Sequence, residues 1–163
     1  MVFLLPLFIL FACGYRFSGS GELPAGVKTV FINIFENSTI EADVEKTFTD
    51  DLVNEFILSQ KDPVREKDQA DAILQGRIES IYEETISNTS QGSSLEREVT
   101  AIVSVKLSNQ QGALLWSSGK IAESEAFIVG ANNLETNENK QKALINVSKK
   151  LAQRIYNRLT EDF

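Results

Sequence analysis

The 163 residues carry 16 basic and 23 acidic side chains, a net charge of −7, with 42% hydrophobic and 24% charged residues. That balance fits one globular domain and argues against nucleic acid, whose binding needs a basic stripe to displace counterions. Histidine is absent and Cys13 is the only cysteine, which removes the commonest general base, any internal disulfide and the Cys/His sets of structural zinc.

Met1 to Ala12 (MVFLLPLFILFA) is apolar throughout. It is shorter than the roughly 20 residues that span a bilayer, but it has the length of a signal-peptide core. The run ends in Leu10-Phe11-Ala12-Cys13-Gly14, which resembles the lipobox of bacterial lipoproteins. The resemblance implies cleavage before Cys13, acylation of its thiol and of the new amino terminus, and sorting to the outer membrane, because Gly14 rather than Asp follows the Cys. Each buried methylene of such an anchor contributes about 0.8 kcal/mol, so two or three chains hold permanently. No Lys or Arg precedes the apolar run, so a complete signal is expected to start upstream.

Residues 14–26 (GYRFSGSGELPAG) are rich in Gly and without periodicity, the composition of a flexible tether. Residues 27–163 are expected to form the single domain. Val27 to Phe35 (VKTVFINIF) reads as a strand buried on both faces, broken by Glu36-Asn37. Ser38-Thr39-Ile40-Glu41 fits a capping box, with Ser38 as N-cap and Glu41 reaching back. Ile40, Val44, Phe48, Leu52 and Phe56 then recur every fourth residue, predicting a helix to about Gln60 that Pro63 prevents from continuing.

Ala72, Leu74, Gly76 and Ile78 alternate with Ile73, Gln75, Arg77 and Glu79, so 70–86 reads as a strand with one wetter face. Ser87 to Ser94 (SNTSQGSS) is a polar hairpin tip. Val99, Ala101, Val103, Val105 and Leu107 alternate with Thr100, Ile102, Ser104, Lys106 and Ser108 in a further strand, which Asn109 to Gly112 turns back. A fourth strand begins at 113–118 (ALLWSS) and reaches about Phe127, with Trp116 read as core. From about Thr136 to Thr160 a helix buries Leu144, Val147, Leu151, Ile155 and Leu159 and gathers Lys149, Lys150, Arg154 and Arg158 towards its C-terminus, where the helix dipole favours cations. The order β-α-β-β-β-α predicts an α+β two-layer sandwich: a four-stranded mixed sheet with both helices on one face.

Asp50-Asp51 and Glu83-Glu84 are paired carboxylates, but adjacent residues on a helix or strand point in different directions and cannot clamp one atom. No catalytic constellation, metal set or cofactor site is expected, and the chain is not read as an enzyme.

Cys13-Gly14-Tyr15-Arg16-Phe17, the approach from Leu23-Pro24 to Val30, and the segment Ile32-Asn33-Ile34-Phe35-Glu36-Asn37-Ser38-Thr39 come in an order that resembles the LPS-assembly lipoprotein family, LptE. The helix that follows, Ala70-Asp71-Ala72-Ile73-Leu74-Gln75-Gly76, Leu114-Leu115-Trp116 and the long final helix continue the resemblance across the mature chain. It implies an outer-membrane lipoprotein that sits inside the large β-barrel LptD, helps that barrel assemble and assists lipopolysaccharide delivery to the outer leaflet. Basic residues are implicated in lipopolysaccharide binding in that family, and Arg97 and Lys106 are the candidates here. The alternative is a periplasm-facing lipoprotein that regulates a cell-wall synthase or forms part of a secretion pore, which the tether would also suit.

Overall fold

Period-two alternation can bury one face of a strand only if something covers that face. In the computed structural model, which describes residues 23–59, 63–87 and 95–161, two helices do so. The elements are β1 (Val30–Ile32), β2 (Glu36–Asn37), α1 (Val44–Ser59), β3 (Ala72–Ser87), β4 (Glu96–Asn109), β5 (Leu114–Ile128) and α2 (Asn133–Glu161). The expected α+β order is present, with one sheet of five strands rather than four. Its order is β1-β3-β4-β5, and β2 also pairs with β3. β1 and β2 run parallel to β3, while β3-β4 and β4-β5 are antiparallel.

One apolar layer holds the sandwich together. Val99, Ala101, Val103, Val105 and Leu107 of β4 are fully buried, against Leu52 and Phe56 of α1 and Val147, Leu151, Ile155 and Leu159 of α2. The Phe56 and Tyr156 rings meet edge-to-face with centroids 5.2 Å apart, joining the two helices. Trp116 is buried as expected. Leu23 also belongs to this core, and Pro24 beside it is buried. The segment read as tether up to residue 26 is therefore docked from Leu23 onward.

Three expectations are corrected around the first crossover. The strand expected over Val27–Phe35 is regular only at Val30–Ile32, and Glu36-Asn37, read as its end, pairs with Arg77 and Ile78 as β2. The capping box at Ser38 does not form: the helix starts at Val44, after Asp43 at φ 61. Asn37 organises the turn instead, its Oδ1 accepting from the N–H and hydroxyl of Thr39 and its Nδ2 donating to the Glu41 carbonyl. Ile40 consequently leaves the apolar stripe and is 99% exposed. Glu41 turns towards Lys140 of α2 rather than back along its own chain.

At the start of β1 a second local device acts. Asp71 Oδ2 accepts from the backbone N–H groups of Lys28 and Thr29 and from the Thr29 hydroxyl, at 2.9–3.0 Å. Those bonds, with the Lys28 N–H leading, hold its carboxyl below the ordinary carboxylate range. Asp71 thereby clamps the strand entering the sheet to the strand beside it.

Candidate functional site

Helices cover one face of the sheet; the other face carries most of the strands' polar side chains, with Ile73, Tyr82, Ile102 and Ile128 among them. Across the central ladder the register sets Arg77, Ser104 and Lys120 in one row and Gln75, Lys106 and Ser117 in the next. Three cations from three neighbouring strands thus share one part of the open face. Arg77 is bound to Glu36 of β2 at 2.7 Å, and Glu79 accepts a 2.6 Å hydrogen bond from the Ser104 hydroxyl. Lys106 and Lys120 are exposed and have no ion-pair partner among the described residues. Asn33, Ile34 and Glu36 rise beside this area and turn it into an open depression of about 500 Å³.

Backbone packing positions that depression. The buried Phe35 ring lies directly against Gly76, so closely that a Cβ on Gly76 would sit 2.3 Å from it. The Phe35 N–H donates to Thr49 Oγ1 at 3.0 Å, and the ring meets Phe48 at 6.5 Å. The residues flanking Phe35 are therefore held beside β3 by the core below.

The structure does not bring Arg97 and Lys106 together. They lie nine residues apart on β4, about 30 Å at a strand's rise per residue, and on opposite faces. Lys106 lies in the open depression. Arg97 stands across from Thr85 and Phe127 on the helix side, paired with Glu83 at 3.5 Å. There it joins a network in which Lys140 bridges Glu83 at 2.8 Å and Glu41 at 2.5 Å. Burial opposes the Lys140 charge, but its bonds to the two carboxylates outweigh burial and raise its pKa above the usual lysine value. Glu83 thus joins β3 to β4 and α2 through its two ion pairs. Lys120 escaped the sequence reading because its place depends on the β4-β5 register.

Among the described residues no group of acidic or cysteine side chains could hold a metal ion, and no helix is long and apolar enough to cross a membrane.

Solved structures share this fold at low identity. Lipoprotein B from Nitrosomonas europaea matches with a TM-score of 0.58 and 18% identity, over 86% of this chain and 85% of that one. The rare lipoprotein B from Shewanella oneidensis gives 0.53 and 18%, over 77% and 92%. A PelC dodecamer from Paraburkholderia phytofirmans gives 0.51 and 19%, over 82% and 89%. Comparison with curated protein sequences returns no match. The family model for lipopolysaccharide-assembly LptE matches residues 27–159, from the lead into β1 to the end of the buried stripe of α2, and the chain belongs to that family.

Proposed function

We propose that the chain is a lipid-anchored outer-membrane protein that sits in the lumen of a large LptD-type β-barrel. There it supports the barrel's assembly and assists lipopolysaccharide insertion into the outer leaflet. The observation that carries this reading, beside the family, is the open sheet face. Around Arg77, Ser104, Lys106 and Lys120 it is polar and carries three cations, the surface expected of a body surrounded by a polar barrel interior. In cells, depletion is expected to leave the barrel misassembled and lipopolysaccharide retained inside. Normal assembly and display after depletion would overturn the proposal.

Attachment runs through Cys13. Cys13→Ser is expected to abolish palmitate labelling and to release the protein from membranes washed with carbonate, apart from any fraction the barrel retains. Continued labelling would refute Cys13 as the lipidated residue.

Lipopolysaccharide phosphates are matched by local cations, because a chain of net charge −7 repels them as a whole. Lys106 is the stronger candidate, being exposed beside Arg77 and Lys120, whereas Arg97 is engaged by Glu83. With the soluble domain, Lys106→Glu is expected to weaken lipopolysaccharide binding about tenfold at low salt and less at high salt. Arg97→Glu is expected to have the smaller effect. Unchanged binding by both variants would remove these residues from the site.

The alternative, a periplasm-facing regulator of a cell-wall synthase or a pore component, draws on the Gly-rich stretch after Cys13 and on the fold shared with the PelC dodecamer. Purification with the anchor intact separates the two: a large β-barrel supports the first, a synthase or a ring of identical chains the second.

A further inference from the structure

The two edges of the sheet are finished differently. Along β5 the outward carbonyls are covered by side chains of α2: Asn139 donates to Ile128, Lys150 to Ser124, Arg154 to Ala122 and Arg158 to Ser118, at 3.0–3.3 Å. Ion pairs from Lys150 to Glu125 and from Arg154 to Glu123, each at 2.6 Å, hold two of these donors in place. This is the protection that an edge strand needs against pairing with another chain.

The opposite edge is covered only in part. β1 and β2 shield β3 as far as Ile78, whose carbonyl accepts the last bond, from the Ser38 N–H. Beyond it β3 continues to Ser87, and among the described residues no strand lies along its outer side. Tyr82 to Ile86 are all exposed. Backbone direction alternates along a strand and shifts at a bulge. The carbonyls of Leu74 and Ile78 face β1 and β2, and the register shifts between Ile78 and Ser80. The N–H and C=O groups of Ile81, Glu83 and Thr85 therefore face the open edge. The free length suits one added strand of ordinary size, about five or six residues.

Charge specifies the occupant. On the open face, Glu84 stands directly across from Glu98, a like-charge cross-strand pair that destabilises a ladder. Neither carboxylate has an ion-pair or hydrogen-bond partner among the described residues, and the nearby Glu96 is exposed as well. We propose that the outer edge of β3 from Ser80 to Ser87 receives an extended, basic segment of a partner protein as an added strand. Main-chain bonds to Ile81, Glu83 and Thr85 hold it, and its Lys or Arg side chains lie over Glu84 and Glu98. This mode of recognition takes affinity from the backbone and specificity from alternate side chains. The site is independent of the cationic depression, which lies on the same face but nearer the other end of the ladder.

The test uses the folded protein and a synthetic peptide of alternating Lys and Val, followed by amide hydrogen exchange and calorimetry. Slowed exchange at Ile81, Glu83 and Thr85 on peptide addition is expected. Thr85→Pro removes an outward N–H while leaving the ladder to β4 intact, a substitution that edge strands tolerate. It should weaken binding about tenfold or more. Glu84→Gln with Glu98→Gln should weaken it several-fold and abolish the preference for the Lys peptide over one of alternating Glu and Val. Circular dichroism and melting confirm that the variants fold. Unchanged exchange at the three amides, or wild-type affinity in a folded Thr85→Pro protein, overturns the proposal. Protection that appears without peptide and rises with protein concentration also overturns it, identifying a second copy as the occupant.

Discussion

Phe48→Ala is expected to cost about 3–5 kcal/mol and Leu151→Ala about 2–5 kcal/mol. Phe48 is 3% exposed and Leu151 1%, and the two come from different helices into one core. Truncation at either place leaves a cavity whose walls are elements of the sandwich itself, so relaxation is limited. Phe48 also supports the Phe35 ring, so its loss should loosen the segment bordering the cationic depression. Such costs are a large part of a typical domain's stability of about 5–15 kcal/mol, so partial unfolding at growth temperature is expected for the Phe variant. Denaturant titration checks this: the midpoint should fall with the slope unchanged. Near wild-type midpoints for both variants would mean that these residues do not hold the layers together.

Gly76→Val should be nearly as damaging although it removes nothing. The added Cβ would meet the Phe35 ring at 2.3 Å. That ring cannot move cheaply, because the Phe35 N–H is tied to Thr49 and the ring packs on Phe48. Overpacking of this kind costs about 1–3 kcal/mol, and the displaced segment is the rim of the open face. The cause is testable as a coupling: in a Phe35→Ala background, Gly76→Ala should cost far less than in the native chain. Equal costs in both backgrounds would rule out the ring as the reason for glycine.

Much of this was legible in the sequence, and the limits have physical reasons. The β4 alternation and the α2 stripe each repeat over several periods, so burial of Val99 to Leu107 and of Leu144 to Leu159 follows from spacing alone. β2 has two residues and no period to read; its pairing with Arg77 and Ile78 depends on a long-range parallel register. Ile40 satisfies the helical spacing and is nevertheless fully exposed, because Asp43 takes a positive φ and restarts the chain at Val44. Nothing in the spacing of apolar residues encodes that turn.

The candidate site divides in the same way. Lys106 falls on the polar parity of β4, and the open face is where that parity leads. Arg97 shares the parity of Val99, so alternation itself already assigns it to the helix side, where Glu83 holds it. Lys120 joins Lys106 and Arg77 only through the β4-β5 register, which is shifted between Ser104 and Lys106. A cluster assembled across strands through a bulge cannot be read along one strand.

The most direct test of the central claim is in-cell photo-crosslinking from position 120, on the β5 side of the open sheet face. The anchored full-length chain would carry the photoreactive residue in place of Lys120. The account predicts one dominant adduct, with a large LptD-type outer-membrane β-barrel, formed at the lipid-anchored stage and lost when barrel assembly is blocked. An adduct with a peptidoglycan synthase, or with further copies of this chain in a ring, and none with a barrel, would contradict it.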